Sequence, residues 1–149
     1  MSTYTDKVGS KLNDLLEKTY DAEKGFKKAA ENTNHEGLKA YFEQKAGERY
    51  NFGHELKSEL KQYGQEVDKG DSFTSKAHRA WMDVKAMFST DNEESMLEEA
   101  IRGEKAAVAE YDEVLSDTDL PPSTQTLLAR QQQKIKTGLE TIKRLEDLS

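Results

Sequence analysis

Cysteine is absent from this chain of 149 residues, and proline occurs only twice. Without thiols there is no disulfide staple, no thiolate metal site and no cysteine nucleophile, so the fold must stand on its apolar core. A chain of this length can bury one such core, and a single domain over residues 1–149 is the expectation. No apolar run approaches the ~20 residues that span a bilayer, and Met1 to Asp6 are polar. Neither membrane insertion nor export is therefore expected, and the cytoplasm is the expected compartment. Strand-forming composition is also thin: 34% of residues are charged and few are proline, which suits long solvated helices.

Positive charge is in the minority, with 22 basic against 29 acidic residues and a net charge of −7. Such a balance repels phosphate backbones unless the cations gather on one face. They do not gather: Lys134, Lys136, Lys143 and Arg144 alternate with Glu140, Glu146 and Asp147, the pattern of a solvated helix face. Nucleic acid is not an expected partner, and the acidity reads as solubility. The serines have no Gly-x-Ser-x-Gly elbow around them, and no glycine-rich phosphate loop occurs, so hydrolase and nucleotide-binding chemistry have no support.

What the chain does have is helical periodicity. From Thr5 to Asn32, Val8, Leu12, Leu15, Thr19, Ala22, Phe26 and Ala30 share one face, which predicts an amphipathic helix. A second helix, His35 to Tyr63, carries Leu38, Phe42, Lys45, Arg49, Phe52, Leu56 and Leu60 along its inner stripe before Tyr63-Gly64 stops it. Residues 65–73 read as loop, followed by a short helix from Thr74 to Phe88 with Ala77, Trp81, Val84 and Phe88 in phase. Ser89 to Asn92 supplies a break and the next N-cap. Glu93 to Ser116 forms the third long helix, with Leu97, Ile101, Glu104, Val108, Tyr111 and Leu115 on its stripe. Pro121 and Pro122 suit the opening turn of the last helix, whose inner face is Leu128, Gln131, Ile135, Leu139 and Ile142. The expectation is all-α: a four-helix bundle with one long crossover between its second and third helices, occupied by the short helix.

Polar residues on apolar faces carry most of the information, because a buried charge is costly unless paired, neutralised or coordinated. Glu104 sits at the centre of its stripe, Glu23 on the inner arc of the first helix, Arg49 on the axis of the second and Gln131 on the fourth. If the helices align in level, one polar layer crosses the bundle. The histidines His35, His54 and His78 are far apart and read as surface residues. Trp81, near His78 and Arg79, reads as an anchor for the crossover helix.

Glu104-Lys-Ala-Ala-Val-Ala-Glu-Tyr111, a Glu followed seven residues on by a Tyr, resembles the ferritin-like superfamily and its rubrerythrin-like members. That resemblance implies a bundle in which each half gives one Glu and a Glu-x-x-His, together holding two irons. Glu23 and Glu104 match the lone glutamates. The second helix offers Glu48-Arg-Tyr-Asn51 or, in the other register, Arg49-Tyr-Asn-Phe52, and the fourth offers Gln131-Gln-Gln-Lys134. Neither place supplies a histidine. Over most of its length the chain is similar to a bacterial ferritin-like family known chiefly as a domain of unknown function, through Gly25-Phe26-Lys-Lys-Ala-Ala-Glu31, His78-Arg79-Ala-Trp81-Met82 and Leu97-Glu-Glu-Ala-Ile-Arg-Gly-Glu104. This implies the fold and a stress-related or metal-related ancestry.

Two functional expectations follow. In the first, Arg49, with Lys134, holds Glu23 and Glu104 in ion pairs completed by Tyr111 and Gln131, no cofactor is bound and no catalysis occurs. In the second, Glu23, Glu48 and Glu104 bind iron or manganese weakly and support redox or storage chemistry. A third arrangement points these side chains into solvent. Assembly into a homo-oligomer through the crossover helix is compatible with either of the first two, and the sequence names no protein partner.

Overall fold

A computed structural model describes residues 4–62, 93–116 and 120–148. Among these residues the fold is all-α, a bundle of four helices: α1 (Tyr4–Glu31), α2 (Glu36–Gln62), α3 (Glu93–Leu115) and α4 (Pro122–Thr141). A short 3-10 turn follows at Leu145–Leu148. The short helix expected over residues 74–88, with His78 and Trp81, lies outside the described residues, as does the expected N-cap of α3.

The apolar stripes meet in two clusters. One joins Val8, Leu12, Leu15 and Leu16 of α1 to Phe52, Leu56 and Leu60 of α2, Tyr111 of α3, and Leu127, Leu128 and Ile135 of α4. The other joins Phe26, Ala29 and Ala30 of α1 to Leu38, Tyr41 and Phe42 of α2 and to Met96, Leu97 and Ala100 of α3, with Ile142 and Leu148 packed against it. The first cluster thus gathers the start of α1, the end of α2, the end of α3 and the start of α4. Helices α2 and α3 therefore run parallel, so the chain leaves α2 at one end of the bundle and begins α3 at the other. That is the topology of a four-helix bundle with one crossover. Helix α1 packs most extensively on α2, and α3 packs chiefly on α4.

The helix ends are fixed by local chemistry. His35 caps α2: its carbonyl accepts the Lys39 N–H at 2.8 Å, and its Nδ1 accepts the Leu38 N–H at 3.1 Å, the task usually given to Ser, Thr, Asp or Asn. Helix α4 begins with Pro121 as its N-cap and Pro122 within the first turn, and Pro121 gives no side-chain cap. Glu59 of α2 supplies the negative charge instead, accepting the hydroxyls of Ser123 at 2.9 Å and Thr124 at 2.8 Å where the α4 dipole favours an anion. At the other end, the C-terminal turn lies so close to α2 that a Cβ on Gly37 would collide with the Leu148 carbonyl oxygen.

Candidate ion-pair centre

Between the two apolar clusters lies a layer of polar side chains. Glu104, only 2% exposed, is reached from α2 by two cations on successive turns. Arg49 makes a charge-assisted pair with it, Nη2 to Oε1, and Lys45 Nζ stands 3.5 Å from its Oε2. Glu48, half-buried between them in sequence, receives Arg49 Nη1 at 3.2 Å and Lys45 Nζ at 3.6 Å. Two carboxylates and two cations therefore form one closed set whose formal charges cancel. The i, i+3 and i, i+4 spacing of Lys45, Glu48 and Arg49 places all three over one turn of α2. The guanidinium also sits 5.7 Å from the ring centres of both Phe26 and Phe52, within range of a cation–π attraction to each ring.

A second branch crosses from α3 to α4. The Tyr111 hydroxyl donates to Gln131 Oε1 at 2.6 Å. The Gln131 amide nitrogen donates to Glu55 Oε1 at 3.1 Å and to the Phe52 carbonyl at 3.4 Å. Glu55 pairs outward with Arg130 at 2.9 Å. The adjacent Gln132 also ties α4 to α3, donating to Asp112 Oδ1 at 2.7 Å and to the Val108 carbonyl at 3.0 Å. Burial raises the Tyr111 phenol above its ordinary value, and burial with the Glu104 charge does the same to Tyr41 beside Lys45. Both phenols stay protonated throughout the physiological range. No buried side-chain nitrogen or oxygen among the described residues is left without a hydrogen-bond partner.

The expected site residues fall in different places. Arg49, Glu104, Tyr111 and Gln131 lie in the interior layer, as a polar residue at the centre of an apolar stripe must. The two registers of the second-helix motif are both used: Arg49 points to the axis, and Glu48 reaches its guanidinium from the edge. Glu23 is placed elsewhere. Its Oε2 pairs with Lys27 at 2.8 Å one turn along α1, and it borders an open groove with Glu43, Gly47 and Tyr50. Lys134 is exposed, its Nζ resting 5.9 Å from the Phe52 ring. Lys45 takes the second cationic position. It stood on the predicted inner stripe of α2 one turn before Arg49, which was signal enough to include it. Glu55 and Gln132 gave no comparable signal, because each lies at the margin of its stripe.

Of the histidines, His35 serves as a helix cap and His54 is exposed, edge-on to Tyr50 at 4.6 Å. Among the described residues no group of three or more His, Asp or Glu is placed to hold a metal ion, and no helix is long and apolar enough to cross a membrane. No curated protein matches the chain. A family model described as a domain of unknown function, DUF2383, matches residues 7–117, and the chain belongs to that family.

Proposed function

We propose that this protein is a ferritin-like bundle without a catalytic centre, in which Lys45 and Arg49 neutralise Glu48 and Glu104 where di-iron relatives hold metal. The observation that carries this reading is the pairing of both carboxylates with both cations, at separations of 3.2 to 3.6 Å for the three longer pairs. A divalent ion between Glu48 and Glu104 would have to displace an ammonium and a guanidinium or stand beside them. Either is unfavourable, since the cations repel it and their own burial would lose its compensation. Gln131 adds an amide already committed to Tyr111 and Glu55, and among the described residues the layer contains no imidazole. The residues do not fit a two-metal centre, so no redox step is assigned to them. The one-crossover topology supports the ferritin-like part of the reading. A bundle of this kind acts through its surface, as a structural or protein-binding module in the cytoplasm.

The test is metal content by plasma mass spectrometry after anaerobic loading with Fe(II) or Mn(II) and desalting, with melting temperatures of loaded and unloaded protein. The reading expects no retained metal and no shift. Two metals per chain with a raised melting temperature would overturn it in favour of iron or manganese storage or redox chemistry.

A further inference from the structure

Gly138 lies inside α4, four residues before Ile142, which closes the helix in extended backbone with its N–H on the Gly138 carbonyl. Glycine in a helix interior is unfavourable relative to alanine, and neither of its common reasons applies. The helix ends beyond it, and its backbone is not in the left-handed region. What distinguishes the position is proximity to the ion-pair centre: a Cβ on residue 138 would stand 2.5 Å from Lys45 Nζ and 3.4 Å from Lys45 Cε.

We infer that Gly138 is a notch in α4 that admits the Lys45 ammonium to the bundle centre, making Gly138 a positioning residue for the ion-pair set. The Lys45 side chain is 8% exposed while reaching both Glu48 and Glu104. A methyl group at 138 moves the ammonium outward, because the tip of a lysine yields more readily than helix backbone. Both Lys45 pairs then lengthen, and Glu48 and Glu104 are left with one cation between them. The inference deepens the proposed reading, on which it rests for the statement that Lys45 stands in place of metal. The notch itself depends only on geometry.

The test compares four chains: wild type, Gly138→Ala, Lys45→Leu and the double variant. Removing a helix-interior glycine should raise the melting temperature by about 2–4 °C where nothing opposes it. That rise is expected in the Lys45→Leu background, and a fall is expected when Gly138→Ala is made in the wild type. Reductive methylation mapped by mass spectrometry gives a second readout: Lys45 should be protected in the wild type and lose protection in the folded Gly138→Ala chain, with the other lysines unchanged. An equal rise in both backgrounds, or a Lys45 still protected in Gly138→Ala, overturns the inference. Metal uptake by the wild type would instead overturn the reading of the centre and leave this comparison intact, so the two failures are distinguishable.

Discussion

Removing the Arg49 guanidinium would leave Glu104 in the interior facing Lys45 alone, at 3.5 Å and shared with Glu48. Breaking a buried pair from one side is far more damaging than replacing both partners, because the orphaned charge keeps its desolvation penalty. Arg49→Leu should therefore destabilise the chain by roughly 3–5 kcal/mol, while Arg49→Leu with Glu104→Leu should recover much of that loss. Urea denaturation of the two variants checks this, and a single variant as stable as the wild type would place the guanidinium outside the energetics of the core. Arg49 and Glu104 were legible as sequence because each interrupts an apolar stripe at its centre. Glu23 looked equivalent but sits at the edge of its stripe, where Lys27 on the next turn offers a pair that no other helix need supply. Residue type and helical phase say which side chains turn inward. They do not say which partner each long side chain reaches, and so Lys45 rather than Lys134 became the second cation.

Periodicity located the four long helices well, and their described ends fall within a few residues of the predicted ones. It was silent on devices that act between elements. Glu59 reaching the start of α4 depends on a contact that no local pattern encodes, while the imidazole capping α2 is a local contact made by a residue type that seldom caps. The last helix was expected to carry Ile142 on its inner face; α4 stops at Thr141, yet Ile142 still packs against the second cluster, and the chain turns to lay Leu148 beside it at the start of α2. That turn is held by the Asp147 carboxylate, which accepts the N–H groups of Lys143 at 2.9 Å and Arg144 at 3.1 Å. These backbone donors favour the ionised form and lower the Asp147 pKa below its ordinary value. A lowered carboxylate pKa contributes stability that is present above the unfolded value and is lost as pH falls through the folded one. Acidification below about pH 4, the ordinary aspartate value, should thus release the turn before the bundle opens. Protection factors at Lys143 and Arg144, which correct for the intrinsic slowing of amide exchange in acid, should fall there, and Asp147→Asn should show the lower protection already at neutral pH. Unchanged exchange in that variant would mean that packing against Gly37, not the carboxylate, retains the turn.

The polar layer divides the molecule's apolar interior into two clusters that would otherwise be continuous. For the whole bundle this division is a concession of stability, since apolar side chains of similar volume often match or exceed a buried ion pair by about 1–4 kcal/mol. What the layer supplies in return is registry. Arg49 and Glu104 can meet only if α2 and α3, parallel and separated in sequence by the crossover, stand at one level. Tyr111 and Gln131 impose the same condition on α3 and α4. Replacing Lys45, Arg49 and Glu104 together by leucine should give a chain at least as stable as the wild type, because no unpaired charge remains in the interior and Glu48 can turn to solvent. If registry is the layer's contribution, this triple variant should also show broadened side-chain resonances or a lower urea m-value, as its helices sample more than one level. Stability retained with sharp resonances and an unchanged m-value would mean that the apolar stripes alone set the register. The charges would then have no part in specifying the fold.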